Sequence, residues 1–125
     1  MKLYLPITVD LYNIYPLSIM NVQQYNIGRG ALVTLTAAGQ VVVPNKESLY
    51  VYAKKKDGTI AYATCTLSGN QIKIDYDEQM TAIVGTMTVE LQMVDENGNS
   101  ITTPIFQVNI QPSNIDYKKV TSSDE

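Results

Sequence analysis

From Gly85 onward the chain alternates without interruption. Met87, Val89, Leu91 and Met93 fall on one side, and Thr86, Thr88, Glu90 and Gln92 on the other. Successive side chains of an extended strand point to opposite faces, so this pattern describes a strand with one apolar and one polar surface. A helix would scatter the same residues around its axis. The segment is the longest clean alternation in the sequence and is read as a central strand. Asn97-Gly98 follows it as a hairpin turn, because glycine accepts positive φ at little steric cost. A partner strand is expected over residues 101–110, with Phe106, Val108 and Ile110 inward.

The rest of the chain repeats this grammar. Residues 3–12 mix β-branched and aromatic side chains, and Pro6 places that strand at a sheet edge or bulge because proline cannot donate to a ladder. A second extended stretch covers residues 17–22. Residues 31–37 follow, with Val33 and Leu35 on one face and Thr34 and Thr36 on the other, the threonine side expected to see water. After a turn at Gly39-Gln40 comes a short apolar run, residues 41–44. A strand over residues 48–53 then enters the Lys54-Lys55-Lys56-Asp57-Gly58 turn, a strong hairpin signal, and returns over residues 59–67. Ser68-Gly69-Asn70 turns the chain into a strand carrying Ile72, Ile74 and Tyr76 on one face, and Asp77 is placed to cap one helical turn through Met80 and Ile83. Many strands at this spacing with a single helical turn predict an all-β fold, a two-sheet antiparallel sandwich.

The length of 125 residues suits one domain that buries roughly two-thirds of its unfolded surface. The sandwich is expected over residues 1–111. Residues 112–125, rich in Pro, Ser, Asn, Lys and Asp, read as a tail or linker. Nine basic against twelve acidic residues give a net charge of −3 and no basic stripe, so nucleic acid is not an expected partner. No apolar run approaches the ~20 residues that cross a bilayer, and the N-terminus lacks the features of a cleaved signal, so no membrane partner is expected and synthesis in the cytoplasm is. The lone cysteine, Cys65, cannot form an internal disulfide and suits a reducing compartment.

Catalysis has little to work with, and the chain is expected not to be an enzyme and to need no cofactor. It has no histidine, the commonest general base and metal ligand. Cys65 sits among Thr64, Thr66 and Leu67, whereas a reactive thiolate needs an electropositive setting. Asp75, Asp77 and Glu78 could in principle share a proton or a cation, but a capping aspartate with solvated neighbours accounts for them. Asp95-Glu96-Asn97-Gly98-Asn99 has its glycine at the fourth rather than the sixth position of a calcium loop, and the twelfth position is Phe106. Gly28-Arg29-Gly30 has Val33 in place of a third glycine and precedes a strand, which excludes a dinucleotide fingerprint.

The aromatic composition is skewed: nine tyrosines, one phenylalanine and no tryptophan. Tyr50 and Tyr52 share a face opposite Leu49, Val51 and Ala53, so one of these sets must point away from the core. Outward tyrosines offer large amphipathic contacts suited to a protein interface or a sugar, and the absence of tryptophan favours the protein. Tyr50, Tyr52, Lys54, Lys55 and Lys56 are therefore the candidate interface residues, with a half-buried core position the alternative for either tyrosine. For the lysines the competing reading is a solvated edge that discourages sheet-to-sheet aggregation, or contact with an anionic polymer such as teichoic acid.

The order of these segments resembles the N-terminal domain of the phage baseplate upper protein family, from tails of phages that infect Gram-positive bacteria. The likeness covers residues 19–110. Gln24-Tyr25-Asn26-Ile27-Gly28-Arg29 leads into Leu32-Val33-Thr34-Leu35, a lysine-rich strand ends in Asp57-Gly58-Thr59, and a short helical turn runs to Gly85. Val89-Glu90-Leu91 then precedes a charged turn with Gly98, and Thr103-Pro104-Ile105-Phe106 opens the last strand. The family's early Gly-Asp is missing. The resemblance implies an immunoglobulin-like sandwich in the virion tail baseplate, made in the host cytoplasm during assembly. It further implies a homo-oligomer that contacts other tail and baseplate proteins and joins the tail core to receptor-binding components. Family members carry receptor-binding proteins on later segments, so the chain is expected to be an excised domain or a short relative limited to attachment. The alternative is a carbohydrate-binding or adhesin-like sandwich that touches the host cell wall.

Overall fold

The computed structural model describes residues 1–13 and 20–115. Among these residues eleven strands make two sheets that pack face to face, with one helical turn beside them. The first sheet contains β1 (Leu3–Asp10), β3 (Arg29–Ala37), β8 (Gln71–Asp75) and β7 (Thr66–Ser68) in that order, with β4 (Gln40–Val42) paired to the far end of β3. The second runs β2 (Met20–Gln23), β11 (Phe106–Gln111), β9 (Gly85–Val94), β5 (Ser48–Lys54) and β6 (Ile60–Thr64), with β10 (Ser100–Thr102) also on β9. The expected all-β sandwich is present, and β9 is central as its alternation requires. Residues 17–19 of the expected second strand and 116–125 of the expected tail lie outside the described residues.

Alternation carries directly into packing. Met87, Val89, Leu91 and Met93 of β9 are buried, and Phe106, Val108 and Ile110 join them from β11. They meet Ala31, Val33 and Leu35 of β3, Ile72 and Ile74 of β8, and Tyr76 just beyond it in one continuous core. Both hairpin glycines take the left-handed backbone their turns need, φ 87° at Gly58 and 85° at Gly98. Asp77 caps α1 (Glu78–Thr81), its carboxylate accepting the Met80 amide at 2.9 Å.

Four features depart from the sequence reading, each for a local reason. Both sheets are mixed: β1 runs parallel to β3 and β2 parallel to β11, while every other pair is antiparallel. Parallel neighbours need a crossover, and β1 reaches β3 only after the chain has passed through β2 in the opposite sheet. The return strand expected over residues 59–67 is two strands, β6 in the second sheet and β7 in the first; the chain changes sheets at Cys65, whose amide donates to the Leu49 carbonyl at 2.9 Å.

The strand expected over residues 101–110 is also divided, because Pro104 has no amide to offer. Thr103 repairs the gap: its amide donates to the Leu91 carbonyl at 2.9 Å, and its hydroxyl accepts the Leu91 amide at 3.0 Å. Thr36, expected in water, is only 8% exposed, because the end of β1 covers it and its hydroxyl donates to Asp10.

Candidate protein interface

The β5–β6 hairpin decides which set of side chains faces outward. Leu49, Val51 and Ala53 are buried, which turns Tyr50 and Tyr52 to the outer face of the second sheet. In the hairpin register Tyr52 lies opposite Tyr62 and Lys54 opposite Ile60. Tyr62 stacks on Tyr52 with ring centroids 5.6 Å apart and planes 19° apart, and it meets Tyr50 at 6.3 Å and 41°. Aromatic pairs at this spacing hold each other in fixed orientations. The Tyr52 hydroxyl donates to Gln92 Oε1 at 2.9 Å, and Gln92 Nε2 donates to Ser100 Oγ at 2.8 Å, so the polar end of that ring is pinned from β9 and β10.

Beside the tyrosines lies a groove of about 160 Å³, lined by Tyr52, Lys54, Ile60, Thr88, Glu90 and Ile105. Three of the largest side chains here reach well into solvent: Ile60 is 64% exposed, Tyr62 61% and Ile105 56%. Exposed aromatic and aliphatic groups gathered on one face, rimmed by charge, are the composition of a protein contact surface.

Of the five candidate residues, the structure gathers Tyr50, Tyr52 and Lys54 on this face. Lys55 turns toward α1, its Nζ donating to the Gln79 carbonyl at 3.2 Å. Lys56 lies along Gly85, where an added Cβ would meet its side chain at 2.7 Å. Sequence reasoning missed Tyr62, Ile60 and Ile105. The first two depend on the turn length: a two-residue Asp57-Gly58 turn would set Ala63 across from Tyr52, whereas the three-residue loop closed by the Lys55 amide on the Thr59 carbonyl sets Tyr62 there; Ile105 is positioned by the interruption at Pro104, which has no such count.

Of the groups weighed for chemistry, Asp75 and Asp77 are engaged in structure. Asp75 accepts a short hydrogen bond from the Tyr4 hydroxyl, which raises the Tyr4 pKa, and Lys73 Nζ stands 5.7 Å from the centre of the Tyr4 ring. Asp77 is the helix cap. Both aspartates line a shallow hollow with Met1, Lys2, Ile27, Gly28 and Tyr76. Cys65 is half-buried, and burial, assisted by the negative charge of Asp75, pushes its thiol up to about 12. Among the described residues no group of three or more His, Cys, Asp or Glu side chains is placed to hold a metal ion, and no helix is long and apolar enough to cross a membrane.

No family profile matches the sequence, and no curated protein sequence matches it significantly. Among solved structures, the chain superposes on the N-terminal domain of phage TP901-1 ORF48 with a TM-score of 0.73 and 11% identity, covering 89% of this chain and 99% of that one. The protein therefore has the fold of a phage protein's N-terminal domain, a match that fits the likeness to baseplate upper protein N-terminal domains read from its turns and strands.

Proposed function

We propose that this domain is a noncatalytic structural component of a phage or prophage tail baseplate. It assembles through protein–protein contacts, and its place is between the tail core and the receptor-binding components. Its partners are other tail and baseplate proteins together with further copies of itself, and its destination is the virion tail after assembly in the host cytoplasm. The observation that carries this reading is the superposition on a phage protein's N-terminal domain over nearly the whole of both chains. The exposed tyrosine face supplies the means, since rigid aromatic side chains contribute large contact area at low entropic cost. The reading keeps residues 1–111 as one sandwich and 112–125 as its tail.

Size-exclusion chromatography with light scattering, on the chain alone and mixed with purified tail-tip proteins, tests the reading. A mixed complex of defined mass is the expected result, and failure to associate with any of them contradicts it. A second reading draws on the open ring of Tyr62, stacked on Tyr52, which itself lines the groove with Thr88 and Glu90, an arrangement that could stack a sugar. Saccharide or cell-wall binding by the isolated domain, without association with tail proteins, would favour that reading.

A further inference from the structure

The groove beside Tyr52 carries its own complement. β5 and β9 pair antiparallel with Tyr52 opposite Glu90 and Lys54 opposite Thr88. Those four side chains leave the outer face as the corners of a four-sided patch, with Lys54 and Glu90 on one diagonal and Tyr52 and Thr88 on the other. Among the described residues, neither Lys54 nor Glu90 has an ion-pair or side-chain hydrogen-bond partner. Two opposite, unpaired charges therefore face out of one apolar groove, flanked by Ile60 on the Lys54 side and Ile105 on the Glu90 side.

A two-fold axis lying in the plane of the face and running along the Tyr52–Thr88 diagonal exchanges the other two corners. A second copy placed by that axis sets its Glu90 over Lys54 and its Lys54 over Glu90, and brings Tyr52 against Tyr52. An unrelated partner has no reason to match this pattern, whereas an isologous contact requires a patch to be complementary to itself. We infer that the outer face of β5, β6 and β9 binds a second copy of this chain about such a two-fold axis, with reciprocal Lys54–Glu90 pairs beside a tyrosine core. The inference rests on the reading of this face as a protein interface. It adds the face used, the symmetry and the residues that set register.

The test is a charge swap followed by sedimentation velocity across a concentration series of the full chain. Wild-type protein is expected to show a reversible monomer–dimer equilibrium. Lys54→Glu and Glu90→Lys each place like charges opposite one another and should weaken the dimer about tenfold or more. The double variant restores both pairs with signs exchanged and should return to near wild-type affinity, and an equimolar mixture of the two single variants restores both pairs in the heterodimer and should do the same. Circular dichroism melts check that the substitutions, at exposed Lys54 and half-buried Glu90, leave the fold intact. A wild-type chain that stays monomeric up to about 1 mM overturns the inference. So does a dimer indifferent to both single substitutions, or a double variant no better than the singles. None of those outcomes touches the association with tail-tip proteins, which the mixed-complex experiment reads separately.

Discussion

Asp10 and Thr36 face each other across the parallel β1–β3 pair, and the threonine hydroxyl donates to the aspartate at 2.5 Å. The same carboxylate accepts the Gly39, Tyr12 and Asn13 amides, each at 3.0 Å, with Ala38 N and Asn13 Nδ2 slightly farther away. One buried charge thus ties the end of the edge strand to the β3–β4 turn and to the segment that leaves β1. These donors, the Thr36 hydroxyl first, hold the Asp10 carboxyl far below the usual aspartate range.

An acid titration of stability follows from that depression. A group whose folded pKa is lowered contributes fully above its unfolded value, near 4, and loses its contribution as pH falls from there toward the folded value. Asp10→Asn keeps the shape but turns an NH₂ toward at least two donors, whichever way the amide is oriented. The gap in melting temperature between wild type and Asp10→Asn is expected to be constant from pH 7 down to about 4 and to narrow on further acidification. Circular dichroism melts across that range measure it, and a gap that narrows above pH 5 would assign the effect to another group.

Gly30 pairs with Tyr4 across the same two strands, and it is there because nothing larger fits. A Cβ at position 30 would sit 2.0 Å from the Ile74 carbonyl oxygen and 2.8 Å from the Tyr4 ring. The backbone oxygen cannot yield as a flexible side chain would. Gly30→Ala is expected to cost at least the upper end of the ~1–3 kcal/mol typical of overpacking, read by urea denaturation. A neutral substitution would mean that β8 lies farther from β3.

Phe106 anchors the second sheet at the point where β11 resumes after the Pro104 break. It is buried in the shared core opposite Val89. Phe106→Ala should lower unfolding free energy by about 3–5 kcal/mol, the range for buried aromatics, while Gln107→Ala next to it on the exposed face should change little. Equal effects at the two positions would reverse the register of β11.

Cys65 marks the crossing between sheets, and with its thiol raised to about 12 it holds almost no thiolate at pH 8. Ellman's reagent is expected to react slowly with the native chain and at the rate of a free thiol once urea unfolds it. Fast labelling in the native state would place Cys65 in a more open or more positive setting.

These elements were not equally legible in the sequence. β9 was, because its alternation is local and unbroken, and so was the Asp77 cap, whose acceptor and donors lie within three residues. The change of sheets at Cys65 was not: Ala61, Ala63 and Cys65 continue a single alternation, and only the distant partner Leu49 decides where the strand ends. The parallel pairings of β1 and β2 were hidden for the same reason, since residues far apart in the chain determine them. Of the candidate interface, Tyr50 and Tyr52 could be found from alternation alone. Their orientation needed the core, and Lys55 and Lys56 were separated from Lys54 by the curl of the turn.

Assembly is proposed to run through the tyrosine face, and hydroxyl-radical footprinting by mass spectrometry tests that proposal most directly. Chain diluted until it is monomeric and chain assembled with tail proteins are oxidised side by side, and the modification of each tyrosine is compared. Tyr62 and Tyr52 are expected to become protected on assembly, while Tyr12, exposed away from that face, keeps its reactivity. Unchanged oxidation of Tyr62 in the assembled state, with protection appearing elsewhere, would contradict the claim that this face makes the contact.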